Sequence, residues 1–151
     1  MPDRPLDTDF LFLLYDVARL MRTRADQRAR TTGMTRAQWV ILVWLEREPG
    51  LSQNELAALV EVEPITVARL IDKLEARGAV ERRPDPKDRR IRRLHLTEAA
   101  RPLLEHVHAY RSDSQELLCE GLTPEALKIT AETLLRMKAN LLDETRLSRA
   151  I

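Results

Sequence analysis

Two short capped helices followed by a charged hairpin, between Leu51 and Thr97, constrain the fold more than any other stretch of this chain. Ser52-Gln53-Asn54-Glu55 is a helix start, in which the Ser hydroxyl accepts from a free backbone N–H and the Glu three residues on reaches back to the cap residue. Leu56, Leu59 and Val60 then recur at helical spacing, predicting a face turned toward a core, and Val60-Glu61-Val62-Glu63 makes a turn. Pro64 opens a second helix, since its missing N–H costs nothing in a first turn, and Gly78 closes it as a left-handed cap. Ala79 to Arg82 and Arg92 to Leu96 read as strands, joined by a turn, residues 83–90, too charged to be buried.

The second helix has two distinct faces. Val67, Leu70, Ile71 and Leu74 form the inward stripe, while at about 100° per residue Ile65, Thr66, Arg69 and Lys73 lie on the far side. An outward Ile beside a Thr and an Arg at a helix N-terminus matches what a DNA major groove accepts, because thymine methyls take apolar contact and an Arg fork fits guanine O6 and N7. The competing reading is a solvated face with one stray Ile. From Glu63 to Arg93 there are ten Lys or Arg against six acids, net +4, whereas the whole chain is only +1. Positive charge is therefore concentrated where a phosphate backbone would lie.

Pro64-x-Thr66-Val67-x-Arg69-x-Ile71-Asp72-x-Leu74-Glu75-x-x-Gly78, with Asp85-Pro86-x-Asp88-x-Arg90 and Leu96-Thr97, resembles the MarR family of bacterial transcription regulators. The resemblance runs from about Phe10 to the C-terminus. It implies a mainly α fold with a small β-hairpin wing: a winged helix-turn-helix over residues 35–96, and long helices over 8–31 and 97–147 forming a dimerisation region, all within one domain, 1–151. It further implies a homodimer that places two recognition helices in successive major grooves of a palindromic double-stranded site. Each wing tip would put an Arg, by motif position Arg90, into the flanking minor groove; Arg89 is the neighbouring alternative. The expected DNA-facing set is Ser52, Pro64, Ile65, Thr66, Arg69, Lys73, Lys87, Arg89 and Arg90. Asp85 and Asp88 are expected to brace the wing, Asp88 by pairing with a nearby Arg. Ala100 stands where many relatives carry Gly, a change that favours helix.

Elsewhere the chain reads as mounting. Asp7-Thr8-Asp9 can cap a first helix in which Phe10, Leu14, Val17, Met21 and Ala25 recur, and whose later half is dense in Arg. Thr35 and Gln38 form another capping box, opening a helix whose Trp39 and Trp44 require cover. A long helix from Thr97 to about Glu120 carries Leu103, Leu104, Val107, Tyr110, Leu117 and Leu118. After Gly121, Thr123-Pro124-Glu125 restarts a last helix toward Arg146. These terminal helices carry more apolar face than one small winged domain buries, which a second copy of the chain accounts for. Neither an apolar run of membrane length nor a secretory leader is found, so a cytoplasmic protein with no membrane association is expected.

Catalysis finds no support. His106 and His108 point different ways on a helix, no Cys/His cluster has metal-ligand spacing, and four glycines leave no phosphate loop, so neither a metal nor a cofactor is expected. An effector is better supported: many family members bind aromatic acids or their thioesters in a cleft beside the dimer helices. Tyr15, Arg19 and Trp39 offer an aromatic wall and a carboxylate fork, against the reading of Tyr15 and Trp39 as core and Arg19 as surface. The function expected is repression by occupancy, released by such a ligand. The alternatives are a redox regulator acting through Cys119, otherwise a buried inert thiol, and a winged-helix module for an acidic protein partner.

Overall fold

The computed structural model describes residues 9–143. The element order is α1 (Phe10–Thr31), α2 (Arg36–Arg47), α3 (Gln53–Val60), α4 (Pro64–Ala76), β1 (Val80–Pro84), β2 (Arg92–Leu96), a 3-10 turn (Glu98–Ala100), α5 (Arg101–Cys119) and α6 (Pro124–Leu142). Asp7, Thr8 and the expected continuation of the last helix to Arg146 lie outside the described residues. Helices with one two-stranded antiparallel hairpin make this the mainly α winged architecture expected.

Helix starts follow local chemistry. Asp9, Thr35, Ser52 and Thr123 each accept a backbone N–H at an N-cap, and the boxes at Thr35/Gln38 and Ser52/Glu55 are both closed reciprocally. Pro64 sits in the first turn of α4. The expected helix from Thr97 begins instead as a 3-10 turn, with Thr97 capping Ala99 and Pro102, which has no N–H to donate, placed in the first turn of α5.

Contacts divide the chain into two compact units, residues up to 111 and residues from 112. In the first, Leu42, Leu45, Leu56, Val67, Ile71, Leu74 and Leu94 form a core free of solvent, closed at one side by Leu104 and Val107. The α3–α4 turn is made by Glu61 in the left-handed region (φ 52), and Gly78 ends α4 with φ 71, where a side chain would be strained. Leu59 departs from expectation: it is 40% exposed while Ala57 is buried, because the core face of α3 is centred between Leu56, Ala57 and Val60. Strand β1 extends to Pro84, which pairs with Arg92 in a register running through Arg82↔Leu94 to Val80↔Leu96. A third segment joins this sheet: Leu94 N–H donates to the Leu51 carbonyl at 2.9 Å and Gly50 N–H to the Leu94 carbonyl at 2.9 Å.

The apolar N-terminal half of α1 stays uncovered in the first unit, Phe10, Phe12, Leu14, Val17 and Met21 all being exposed. The second unit has no buried residue anywhere along α6, and Ile129, Leu134, Leu135, Leu141 and Leu142 are exposed. No described helix is long and apolar enough to cross a membrane.

Candidate nucleic-acid interface

Helix α4 presents the outward face its sequence predicts. Val67, Ile71 and Leu74 are buried, while Pro64, Ile65, Thr66, Arg69 and Lys73 are exposed, Ile65 at 63%. An exposed Ile held at a helix N-terminus costs solvation and offers an apolar contact. The acids of the same helix are drawn aside by β1. Arg82 donates to the Asp72 carboxylate at 2.6 Å and also to Glu75. Asp72 stands three residues from Arg69, a spacing at which the two would otherwise pair, so Arg82 leaves Arg69 and Lys73 without an ion-pair partner among the described residues.

The wing is shaped by two carboxylates. Asp85 Oδ1 accepts the amides of Lys87 at 2.7 Å and Asp88 at 3.0 Å, and Asp88 Oδ1 accepts the Arg90 amide at 2.9 Å. Here the structure corrects one expectation: Asp88 braces the turn through backbone, and the carboxylate that takes an arginine is Asp85, whose Oδ2 accepts Arg93 Nε at 2.7 Å. Arg93 Nη1 also donates to Glu55 at 2.8 Å, so two carboxylates share one guanidinium. The Arg93 hydrogen bond and the Lys87 and Asp88 amides hold Asp85 below the usual carboxylate range. Ser52, then Arg93, do the same for Glu55, and Asp85 raises Arg93.

Of the ten cations counted between Glu63 and Arg93, four are therefore spent within the fold: Arg82, Arg83 (on Glu81) and Arg93 in ion pairs, and Arg77 on the Gly33 carbonyl. Lys87, Arg89, Arg90 and Arg92 remain exposed and unpaired among the described residues. Arg92, which was not among the residues expected to face DNA, is exposed beside them. Ser52 is committed first to the fold, its hydroxyl accepting the Glu55 amide at 3.2 Å. His95 is half-buried beside Gly50 rather than on an open strand face, since the 50–52 segment covers that side of β2.

A family model described as MarR family matches residues 34–91. The solved structure of the transcriptional regulator PA3341 is 33% identical, covering 90% of this chain and 100% of its own, with a TM-score of 0.80. The chain belongs to the MarR family. That makes it a transcription regulator rather than an enzyme. MarR itself is 26% identical, with 100% of this chain and 98% of that chain covered and a TM-score of 0.77. MepR of S. aureus, solved as a complex with DNA, shares the fold at 23% identity over 89% of this chain and 98% of that chain, TM-score 0.75.

The MarR-type chain also holds a cavity of about 330 Å³ in its first unit, lined by α2 (Trp39, Val43, Trp44, Arg47) and α5 (Val107, Tyr110, Arg111), with Ala25 and Arg36. Trp39 is buried at 3% exposure, its Nε1–H has no hydrogen-bond partner among the described residues, and its ring lies 5.4 Å from that of Tyr110. Arg36 is paired with Asp26, and Arg47 lies 5.8 Å over the Trp44 ring. Of the three residues expected to hold an effector, only Trp39 lines this cavity. Tyr15 is 72% exposed and Arg19 is paired with Asp16, because the apolar half of α1 is left uncovered in this chain. Sequence reasoning missed Trp44, Arg47, Tyr110 and Arg111 as a group, since two distant helices bring them together. His108 pairs with Glu46 at 3.0 Å, and among the described residues no group of His, Cys, Asp or Glu could hold a metal. Cys119 is half-exposed rather than buried, as the last residue of α5.

Proposed function

We propose that this MarR-family chain is a homodimeric repressor that covers a palindromic double-stranded DNA site in a promoter. The observation that carries it is the pairing pattern of the cations: Arg69 and Lys73 on α4, with Lys87, Arg89, Arg90 and Arg92 on the wing, are exposed and have no ion-pair partner among the described residues, while the neighbouring acids Asp72, Glu75 and Asp85 are bound internally. In this reading α4 enters the major groove with Ile65, Thr66 and Arg69 at base edges, and Arg90 or Arg89 enters the flanking minor groove. Pro64, Ser52, Lys73 and Lys87 lie along the backbone. One domain spans the chain, residues 8–31 and 97–147 supply the dimer contact, and the protein works in the cytoplasm. A dimer sets two recognition helices about 34 to 36 Å apart, one helical turn of DNA.

Fluorescence anisotropy against the DNA immediately upstream of its own gene, beside a scrambled duplex of equal length and across a salt series, tests this. The upstream DNA is expected to bind at least about a thousandfold more tightly, with affinity falling steeply as salt rises. Equal binding of both duplexes would sink the operator assignment and favour a basic face made for an acidic protein.

We propose that an effector binds in the cavity around Trp39 rather than at Tyr15 and Arg19. An aromatic acid, free or as its thioester, fits a site with aromatic walls from Trp39, Trp44 and Tyr110 and the guanidinium groups of Arg47 and Arg111. Such a ligand releases DNA only by binding two arrangements of the dimer unequally. Salicylate is expected to quench tryptophan fluorescence saturably and to lower DNA affinity, and Arg111→Ala to weaken both effects together. Quenching that survives Arg111→Ala unchanged would move the carboxylate elsewhere.

A further inference from the structure

We propose that Arg93 is a positioning residue that fastens the wing to the first turn of α3, so that helix-turn-helix and wing meet DNA as one piece. Its guanidinium joins Asp85, 8 residues away in sequence, to Glu55, 38 residues away, and Nη1 also reaches the Gly50 carbonyl at 3.3 Å. Both carboxylates already organise backbone. Asp85 folds the wing tip through the Lys87 and Asp88 amides, and Glu55 Oε2 accepts the Ser52 amide at 2.7 Å to close the cap of α3. One side chain thus ties the element that shapes the wing to the element that starts the helix-turn-helix.

The hairpin needs such a tie. Its root is fixed by the β1–β2 ladder and by the Gly50–Leu51 bonds to Leu94, but residues 85–91 lie beyond the ladder. The tip amides of Lys87, Asp88 and Arg90 are satisfied by Asp85 and Asp88, within the wing itself. Contact from the tip to the helix-turn-helix therefore runs through Asp85 and Arg93. Arg93 is half-buried and faces two carboxylates, so its charge is spent inside the protein rather than on phosphate. A lysine would keep the charge, but its single ammonium cannot reproduce a planar fork that serves separate acceptors through Nε and Nη1.

The inference rests on the wing reading a flanking minor groove, and the test separates the two ideas. In the full chain, Arg93→Gln, Arg93→Lys, Asp85→Asn and the Arg93→Gln/Asp85→Asn double variant are compared by ¹⁵N relaxation of amides 85–91. Anisotropy is read in parallel on upstream-gene duplexes whose flanks are A·T-rich or G·C-rich. In both Arg93 variants the tip amides are expected to gain fast motion, and preference for A·T-rich flanks to fall by roughly tenfold toward parity. Preference for the central site over scramble and the salt dependence should persist, and the double variant should be no worse than either single one. Full flank preference in Arg93→Lys, with a salt slope reduced by about one in Arg93→Gln, would overturn the proposal and make Arg93 a phosphate contact. Unchanged tip motion would overturn it equally. If Arg93→Gln does not fold, Asp85→Asn carries the same readings. Should the wild type prefer no DNA, the operator reading fails while the relaxation data still decide the tie.

Discussion

Leu134→Glu with Leu141→Glu is expected to yield a helical monomer that binds the upstream DNA at least about a hundredfold more weakly than the wild type. The two leucines stand seven residues apart on α6, on one face, and both are exposed in the chain. Since α6 buries no residue, the substitutions empty no core, and the fold of the first unit has no reason to respond. In a twofold interface each change is felt twice, and a buried carboxylate without a partner is far worse than a missing methyl group. The loss of DNA affinity then follows from geometry. One recognition helix reads a few base pairs, and the second half-site contributes only when a rigid dimer presents it. Sedimentation velocity reads the mass, expected near the 17.4 kDa of one chain, and circular dichroism reads the helix content. A retained dimer with wild-type affinity would show that the contact between copies does not use this face of α6.

What the sequence made legible is what is local. Ser52 with Glu55, Thr35 with Gln38, Pro64 at its first turn and Gly78 at its end each act within four residues, so their chemistry is written in the chain. The outward face of α4 was equally readable, because Val67, Ile71 and Leu74 claim the opposite one. Periodicity says which residues share a face but not whether that face is covered, so in the sequence Tyr15 and Trp39 read alike as aromatic candidates. Trp39 meets Tyr110 across a helix pair, and Tyr15 has no such ring contact among the described residues. Charge counting failed for a related reason. Arg82 and Arg93 look like Arg89 and Arg90 in a list of cations, and only tertiary structure shows that the first two are spent on Asp72, Glu75, Asp85 and Glu55. A cation's availability for DNA is a property of its neighbours, and those neighbours lie 7 to 38 residues away.

That distinction carries the sharpest expectation for recognition. Arg69→Ala is expected to relax preference at one base position of each half-site, costing roughly 1 to 3 kcal/mol against the preferred base and little against the others. Arg69 is exposed near the start of α4, between Thr66 and Lys73 on the outward face, with no ion-pair partner among the described residues. Its freedom depends on Arg82, which holds Asp72 at 2.6 Å and so keeps the acid three residues on from folding back over it. Arg82→Ala should therefore imitate part of the loss without removing a DNA contact: Asp72 is released to pair with Arg69 and to repel phosphate. Arg82→Ala with Asp72→Asn should restore what Arg82→Ala lost, whereas Arg69→Ala with Asp72→Asn should not. Binding to duplexes substituted at each base position in turn reads all four proteins on one scale. If Arg69→Ala lowers affinity equally for every base, the guanidinium sits on phosphate and α4 is rotated from the orientation argued here. If Asp72→Asn leaves Arg82→Ala unrescued, Arg82 itself meets the DNA.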